Sequence, residues 1–238
     1  MCNLYHLSPK VEVADYFRTL VPDDYVDGAV GPFGTGAFLK ADGAGLKLTL
    51  GQWGMVAPGS KSRRPNSRAI LTNNARIETV AAKWTYKDAW RAGRRCLIPA
   101  AWYQEPNWES GKNIWWRMRR ADGLPWALAG IWSEWTDPET GEVLPNYTMI
   151  TCNCDGHPLL GRLHKPDPHL PADAQDKRAV VHIAPERWLD WLSGDQATAL
   201  GLIKPEAAQV FDPDDARRTD ALLAQQRDSG APQQGSLL

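Results

Sequence analysis

Several strand-like segments follow one another in this chain with few helices between them, and this order limits the fold more than any other feature. The segments are short runs rich in β-branched and aromatic residues, bounded by Gly, Pro and Asp. Asp122-Gly123 and Thr140-Gly141 supply hairpin-type turns between some of them. A doubly wound parallel sheet needs strands that alternate with helices, so the order favours a mainly antiparallel α+β fold. The predicted strands are 46–50, 96–105, 114–118, 126–132 and 147–151.

The helices and the domain limits are predicted from the same kind of pattern. Apolar residues at helical spacing predict helices over 11–20, 80–92 and 185–193. The 238 residues show no repeat and no linker, so we expect a single α+β domain over 1–224, with a mainly antiparallel, barrel-like β core and a few flanking helices. The Gln/Ser/Gly/Pro-rich segment 225–238 is predicted to be a disordered tail.

The composition excludes several classes of protein. With 43% hydrophobic and 23% charged residues, the chain is typical of a globular protein and unlike a disordered, collagen-like or coiled-coil chain. No apolar run reaches the roughly 18 residues of a membrane span, and the first residues lack the order of a signal peptide. We therefore expect a cytoplasmic protein without membrane contact, whose four cysteines are free thiols: Cys2, Cys96, Cys152 and Cys154.

The charge of the chain is strongly segregated. Residues 61–120 hold fourteen Lys and Arg against four Asp and Glu, although the whole chain has a net charge of −1. Such a basic segment is typical of proteins that bind a phosphate backbone, and the six tryptophans within it could stack on exposed bases. The alternative is a solvated charged face with most of these tryptophans in the core. The first candidates for DNA contact belong to a loop that contains Pro and Ser: Lys61, Arg63, Arg64 and Arg68.

Cys2 is the residue with the most specific chemistry. Its side chain is small enough to permit removal of Met1, which would leave an α-amine and a thiol on one residue, a 1,2-aminothiol. Such a pair attacks an aldehyde twice, because the amine forms a Schiff base and the sulfur then closes a thiazolidine ring. An α-amine has a pKa of about 8 and is a ready nucleophile at cellular pH. Two alternatives stay open, a nucleophile that cleaves an amide and a frayed chain end.

Two further segments could supply polar groups to a site. Residues 73–79 follow the basic loop and are too polar for a core strand, so Asn74, Arg76 and Glu78 could bind a substrate there, with Arg76 on a phosphate. The alternative is a turn that caps the next helix. The strand that begins at Cys96 delivers Glu105 to an aromatic setting. Such surroundings raise the pKa of a carboxyl and suit it to proton transfer, whereas an exposed Glu105 is the alternative.

His164 follows the last predicted strand and has basic neighbours. It could donate a proton, bind a phosphate or be an incidental loop residue, and Arg162 beside it is a further candidate for DNA contact. A zinc site is the alternative, but Cys-x-Cys-x2-His does not match the common spacing of zinc ligands. We therefore predict neither a metal nor a cofactor. The zinc set would be Cys152, Cys154, His157 and His164.

The order of these signals along the chain is more specific than any one of them. Met-Cys comes first, followed by Trp53-Gly54-Met55-Val56, Asn74-Ala75-Arg76-x-Glu78-Thr79, Arg95-Cys96-Leu97-Ile98-Pro99 leading to Glu105, and His164. Over about residues 1–195 the chain resembles the SOS-response-associated peptidase (SRAP) family. The resemblance implies a protein that crosslinks through an N-terminal cysteine to abasic sites in single-stranded DNA and protects the strand from incision. It also implies processing that exposes Cys2.

The resemblance implies a role for each matching position. Cys2 matches the crosslinking residue, and Asn74 matches an asparagine that lines the site. Glu105 matches the carboxylate that transfers protons in Schiff-base formation and crosslink reversal, and His164 matches the histidine that assists opening of the sugar ring. Arg76 corresponds to an arginine that contacts the DNA backbone.

The chain departs from the family pattern where DNA contacts are expected. Asn3 and Leu4 replace a Gly-Arg pair of many members, so one phosphate contact is missing. Pro106 stands after the glutamate where Trp is usual. Many members carry an Arg-Met-Pro string shortly after the histidine, whereas here residues 165–168 intervene and Arg178 is the nearest candidate to replace that arginine.

Three candidate functions are consistent with these sequence features. The first is the capture of abasic single-stranded DNA by a monomer, in the cytoplasm and on the nucleoid when bound, with peptidase-like and lyase-type chemistry at Cys2. The second is an N-terminal-nucleophile amidase or protease, which uses Cys2 but does not explain the basic segment. The third is a non-catalytic module that binds single-stranded DNA and does not need Cys2.

Overall fold

The computed structural model describes residues 1–67 and 70–229. The strands are β1 Tyr5–Leu7, β2 Ala29–Val30, β3 Thr35–Asp42, β4 Gly45–Trp53, β5 Asn74–Arg76, β6 Arg95–Asn107, β7 Ile114–Met118, β8 Trp126–Thr136, β9 Val143–Asn153 and β10 Arg178–Val180. The helices are α1 Lys10–Phe17, α2 Lys87–Arg91, α3 Trp188–Ser193, α4 Gln196–Gly201 and α5 Asp214–Asp228. Short 3-10 turns lie at Leu160–Arg162, Pro185–Arg187 and Ala208–Val210.

Five strands close into a mixed barrel. β3 pairs with β4, β4 with β9, β9 with β8, β8 with β6, and β6 again with β3. The β4–β9 pair is parallel and the other four are antiparallel, which confirms the predicted α+β fold with a mainly antiparallel, barrel-like core. The barrel joins strands that are distant in sequence, and its closure positions the residues of the candidate site.

Large aromatic side chains fill the core. The hydroxyl groups of Tyr5 and Tyr147 form a hydrogen bond above Gly36, where a Cβ atom would collide with both of them. Glycine is therefore required at this point of β3. Trp84 and Trp115, in contrast, are more than half exposed. The fully buried tryptophans are Trp53, Trp90, Trp116, Trp126 and Trp191.

β6 is long enough to serve both the barrel and a second group of strands. Its first half pairs with β8, and its second half pairs with β1 and β7. α5 covers this second group, because the Trp116 indole on β7 donates a hydrogen bond to Thr219 Oγ1 at 2.9 Å. The end of β6 therefore lies beside the start of the chain and beneath its last described helix.

Two of the predicted helices are confirmed, and one is wrong over most of its length. α1 confirms the helix predicted over 11–20 but ends at Phe17, three residues earlier, and 185–193 forms a 3-10 turn followed by α3. The predicted helix 80–92 is a series of turns with the short α2 near its end. Trp84 Nε1 donates to the Pro58 carbonyl at 3.4 Å, and Tyr86 Oη donates to the Asn74 carbonyl at 3.2 Å. These tertiary contacts override helical propensity.

α5 corrects the start of the predicted tail. The helix continues to Asp228, so 225–228 are helical rather than disordered. Gln and Arg are good helix formers, and buried Ala216 and Thr219 anchor the helix to the rest of the domain. The remainder of the predicted tail, 230–238, lies outside the described residues. None of the helices in the described part of the chain is long and apolar enough to cross a membrane.

Candidate active site

Strand pairing carries the start of the chain to the end of β6. β1 runs antiparallel to β6 with Tyr5 opposite Tyr103, and the Gln104 amide donates to the Leu4 carbonyl at 2.9 Å. Extending this register by two or three residues places Cys2 level with the segment that contains Glu105. Two residues that are far apart in sequence therefore meet because of the sheet.

Cys2 is fully buried and firmly held. Its thiol donates to the Leu4 carbonyl at 3.3 Å, and its own carbonyl accepts hydrogen bonds from Asn74 Nδ2 at 2.6 Å and Asn73 Nδ2 at 3.1 Å. Burial, and then the negative charge of Glu105, raises the pKa of the Cys2 thiol well above its usual value. The frayed-end alternative is therefore wrong. The thiol stays protonated until a nearby base removes its proton.

The two asparagines that hold Cys2 lie at the start of a short strand. β5 is parallel to β9, with Ala75 buried opposite Ile150, so the segment that looked too polar for a core strand does form one. The Asn73 carbonyl accepts a hydrogen bond from the Met149 amide at 3.0 Å. The structure thus brings Asn74 to Cys2 and adds Asn73, which the sequence analysis did not single out. In the sequence, the only indication that Asn73 belongs to the site is its position next to Asn74.

Glu105 is buried, which rules out the exposed strand-end alternative. Its relative exposure is 2%, and Trp116 of β7 lies opposite it in the sheet. Burial raises the pKa of this carboxyl to about 7, although the amine of Met1, 3.5 Å from Oε2, acts in the opposite direction. Near neutral pH, Glu105 is therefore populated both as an acid and as a base.

His164 reaches the same amine from a separate loop. Its backbone has a φ of 64°, a left-handed conformation uncommon outside glycine, and its amide donates to the Pro106 carbonyl at 2.6 Å. Its Nδ1 lies 3.1 Å from the Met1 nitrogen and 3.6 Å from Glu105 Oε2. The other ring nitrogen, Nε2, faces the Arg178 carbonyl at 2.9 Å and must donate to it, so Nδ1 of the neutral ring is an acceptor.

The electrostatic environment keeps His164 neutral. Burial, and then the positive charge of the chain-start amine, lowers the pKa of this imidazole to about 4. At pH 7 the ring can therefore accept a proton at Nδ1 rather than donate one. The 3.6 Å approach to Glu105 is a contact between a neutral ring and a carboxyl, not an ion pair.

Lys177 fixes the loop that carries His164. Its ammonium donates to the carbonyls of Leu163 at 2.7 Å and His164 at 2.6 Å, and burial lowers its pKa. The side chain is 7% exposed, so these bonds are largely shielded from water. Lys177 lies in a polar stretch without periodicity or motif, so no pattern in the sequence identifies it.

Cys2, Glu105 and His164 with the adjoining chain-start amine form what we call the reaction centre. It combines a nucleophilic nitrogen, a protonated thiol one residue away, a carboxyl that can give or take a proton, and an imidazole that can accept one. Among the described residues, no hydrogen-bond donor reaches the buried Asn74 Oδ1, so it is available to a bound molecule, whereas Glu105 Oε2 faces the Met1 amine at 3.5 Å. This set suits acid–base-assisted addition of an amine to a carbonyl group.

The basic loop, residues 57–67, presents positive charge to solvent. Lys61, Arg63 and Arg64 are exposed. Gln52 anchors the loop, because its side-chain amide donates to the Arg63 carbonyl at 2.9 Å and its Oε1 accepts from Arg63 Nε at 3.1 Å. The Arg64 guanidinium lies 6.0 Å from the centre of the Phe33 ring. Arg68, also predicted to contact DNA, lies outside the described residues.

Two further arginines predicted to contact DNA are bound by carboxylates. Arg76 is half-exposed and pairs with Asp176 at 2.6 Å. Arg162 pairs with Glu109 at 2.7 Å and with Asp220 at 2.6 Å. A phosphate would have to displace one carboxylate from Arg76 but two from Arg162. Arg76 is therefore the easier of the two to recruit.

The alternative zinc set is not assembled. The described residues contain no group of three or more His, Cys, Asp or Glu side chains that could hold a metal ion. His157 Nε2 donates a hydrogen bond to the Glu206 carbonyl, and His157 Nδ1 accepts hydrogen bonds from the amides of Leu159 and Leu160. Cys152 and Cys154 are buried free thiols, as are the other two cysteines.

Sequence comparisons connect this site to known proteins. A family model described as SOS response associated peptidase (SRAP) matches residues 5–215. Abasic site processing protein HMCES of Xenopus tropicalis is 26% identical over 182 residues, which cover 69% of this chain and 51% of that protein. Abasic site processing protein YedK of Escherichia coli is 26% identical over 214 residues, 84% of this chain and 85% of that protein. The chain spans about half the length of the HMCES relatives it matches.

Solved structures share the fold. A crystal structure of a protein from Bordetella bronchiseptica superimposes with a TM-score of 0.75 at 30% identity and covers 89% of this chain and 97% of that one. A protein from Bacteroides thetaiotaomicron superimposes with a TM-score of 0.72 at 20% identity, covering 89% of this chain and 90% of that one. The second match, at this identity, concerns the fold alone.

Proposed function

The chain belongs to the SOS response associated peptidase family, and from this premise we propose that it captures abasic sites in single-stranded DNA as a covalent thiazolidine at Cys2. Relatives named abasic site processing proteins support the choice of substrate. In this proposal the protein acts as a cytoplasmic monomer that joins the nucleoid with its DNA, and the crosslink shields the site from strand cleavage. The chemistry uses the chain's own residues, without a metal or cofactor.

One observation carries the proposal: Glu105 and His164 converge on the chain-start amine beside a buried thiol. The nitrogen lies 3.5 Å from the carboxyl and 3.1 Å from the neutral imidazole. The raised pKa of the Cys2 thiol disfavours the thiolate that amide cleavage would need. Addition to an imine demands less of the sulfur, because the carbon is already activated. The geometry therefore favours aldehyde capture over the amidase alternative.

Removal of Met1 prepares the site. The Met1 side chain is 44% exposed, so the residue is accessible to processing. Cys2 then carries the terminal amine, and Asn73 and Asn74 keep its carbonyl in place. In this proposal the new amine takes the place of the Met1 nitrogen between Glu105 and His164.

The first chemical stage joins the amine to the open-chain aldehyde of the abasic sugar. As the nitrogen attacks C1′, Glu105 in its acid form protonates the carbonyl oxygen, and His164 Nδ1 takes one proton from the nitrogen. The imidazolium then protonates the new hydroxyl, which leaves as water. The products are a protonated imine, a Glu105 carboxylate and a neutral His164.

The second stage closes the ring. The Glu105 carboxylate removes the thiol proton of Cys2, and the sulfur adds to C1′. As the carbon–sulfur bond forms, the π-electron pair of the C=N bond moves to the nitrogen. Overall, aldehyde and aminothiol give thiazolidine and one water, and Glu105 regains its proton. Ring closure removes the imine from which base-promoted strand cleavage would follow. Reversal runs through the same proton transfers.

The flanking strand is held by the basic surface in this proposal. Lys61, Arg63 and Arg64 bind phosphates directly, and Arg68 belongs to the same stretch. Arg76 joins them by exchanging Asp176 for a phosphate. Arg162 contributes only where its two carboxylate pairs open. Because these contacts are to phosphates, sequence preference is slight.

The test is incubation of the purified protein with an oligonucleotide that carries one abasic site, followed by denaturation. The proposal expects an adduct that survives heat and detergent with abasic single-stranded DNA and none with the intact strand. Salt-sensitive binding without any adduct would instead favour the non-catalytic binding module. Cleavage of peptide or amide substrates that is lost in Cys2→Ala would favour the amidase.

A further inference from the structure

A cleft of about 470 Å³ opens beside the reaction centre and has no role in the chemistry above. His164 and Lys177 line one part of it, so the cleft is continuous with the reaction centre. Its other lining is mainly apolar and includes an indole, two proline rings and a leucine. These residues are Trp108, Pro166, Pro168 and Leu170.

The cleft wall formed by residues 166–175 is ordered by its own hydrogen bonds. Gln175 Oε1 accepts from the Asp167 amide at 2.7 Å, and Gln175 Nε2 donates to the carbonyls of Leu170 at 3.0 Å and Pro171 at 2.9 Å. Three prolines within 166–171 restrict the backbone further. This wall is made by the residues that separate His164 from Arg178, where the chain departs from its family.

The charges around the cleft suit a neutral ring rather than a second phosphate inside it. Arg162 pairs with Glu109, which lines the cleft, and the Lys177 ammonium is occupied by backbone carbonyls. Asp167 adds a carboxylate to the lining that would repel an anion. The Lys165 ammonium lies over one face of the Trp108 ring, 5.4 Å from its centre, which leaves the other face for stacking. A cation there suits the phosphate attached to whatever the cleft holds.

We propose that this cleft binds the nucleobase next to the abasic residue, stacked on Trp108. The inference rests on the proposed function. His164 belongs both to the reaction centre and to the cleft, so the nucleotide next to the reacting sugar is the part of the DNA that reaches the cleft. Stacking on an indole accepts any base, which agrees with slight sequence preference. The subsite holds the strand beside the reacting sugar and so lowers the concentration of DNA needed for capture.

The test combines variants of the protein with variants of the DNA. Two labelled oligonucleotides carry one abasic residue each, flanked on both sides by normal nucleotides or by tetrahydrofuran residues that lack a base and an aldehyde. Equilibrium binding is measured by fluorescence anisotropy in a Cys2→Ser background, which should not form the stable crosslink, and adduct formation is followed separately in proteins that keep Cys2. Trp108→Ala should weaken binding of the base-flanked DNA at least about fivefold and leave the base-free DNA within twofold. Trp108→Phe should restore most of the affinity.

Trp115→Ala is the matched control, since Trp115 is 53% exposed and lies one position from buried Trp116 on β7. It should change binding of neither DNA, and melting temperatures check that each variant is folded. An equal weakening on both DNAs would assign Trp108 to the loop structure and overturn the proposal, as would unchanged binding of both. A base-dependent weakening without any adduct would support the subsite and contradict the crosslinking function, so the two failures can be told apart.

Discussion

The reaction centre and the basic loop differ in how much of the fold each requires. Cys2, Glu105 and His164 come from three distant parts of the chain and are held by bonds from other strands and loops. The cations of the basic loop are neighbours in sequence and exposed, and Gln52 anchors that loop at Arg63. One region depends on barrel closure, whereas the other depends mainly on local composition.

Because of this difference, we expect the reaction centre to determine the rate of capture and the basic loop to determine the affinity for DNA. Groups that exchange protons need fixed distances and shielding from water, because both determine their pKa values. Cations that neutralise a phosphate backbone act through their summed charge and tolerate freedom of position. Substitutions in the reaction centre should therefore change the rate of capture at saturating DNA, and substitutions in the basic loop should change the DNA concentration that saturates it.

Cys2→Ser gives the largest expected effect on the reaction centre. An oxygen closes the five-membered ring far less favourably than sulfur, so the heat-stable adduct should disappear while salt-sensitive binding persists. Denaturing gels and anisotropy measure the two properties. Cys152→Ala, which removes another buried thiol, is the control and should keep its adduct. A full yield of heat-stable adduct from Cys2→Ser would rule out the thiazolidine.

Glu105→Gln should slow adduct formation and reversal by about 10²-fold, because the amide keeps the size of the side chain but cannot transfer protons. The ratio of the wild-type rate to the variant rate should decline as pH rises through about 7, the pKa of Glu105, because ionisation of the amine affects both proteins alike. Single-turnover rates against pH measure both effects. Equal rates and equal pH profiles would remove Glu105 from the mechanism.

The same substitution should also change the pH dependence of stability. The pKa of Glu105 in the folded protein, about 7, lies above its usual 4.5. The favourable contribution of the protonated carboxyl to the free energy of unfolding is therefore complete below pH 4.5 and is lost as pH rises through 7. Glu105→Gln lacks this loss and should gain thermal stability relative to wild type between pH 5 and pH 8. Melting temperatures at the two pH values test the sign. A variant that melts much lower at both would make Glu105 structural.

Replacing Arg63, Arg64 and Arg76 together by alanine tests the other side of the comparison. Binding should weaken for all DNA sequences, and the slope of log affinity against log salt should flatten by roughly one unit for each phosphate that is no longer neutralised. The adduct rate at saturating DNA should stay close to wild type. An unchanged slope would mean that this surface is a solvated face without a role in binding.

The smallest expected effect is a gain. Asp176→Asn removes the carboxylate that pairs with Arg76 and should strengthen DNA binding by roughly two- to fivefold, the range of an exposed ion pair. The gain should disappear in an Arg76→Ala background, which anisotropy titrations in a double-mutant cycle can measure. A gain that persists without Arg76 would show that Asp176 acts on DNA by another route.

Much of the barrel could be predicted from local pattern. β7 matches its predicted range, and β8 and β9 include theirs, since aromatic and β-branched runs bounded by turn residues identify strands. β3 was missed because TGAFLKAD contains neither a β-branched run nor clean alternation. Its pairing with β4 and β6 closes the barrel, and such closure is a tertiary property that no short window contains.

The site was predictable to the extent that its residues stand in motifs. Cys2, Asn74, Glu105 and His164 were selected from the sequence, and the fold brings all four together. Lys177 was not selected, because its role depends on two loop carbonyls that only the folded chain places near its ammonium. The carboxylate partners of Arg76 and Arg162 were hidden for the same reason.

The proposed function requires the amine and the thiol of the reaction centre to bond to the same carbon of the abasic sugar. Intact mass spectrometry of the adduct, followed by digestion and fragmentation of the crosslinked peptide, tests this most directly. The proposed mechanism predicts a mass equal to the chain without Met1 plus the abasic oligonucleotide minus one water, without added reductant, and with the modification on Cys2. An adduct that maps to a lysine, that needs borohydride to survive, or that retains Met1 would contradict it.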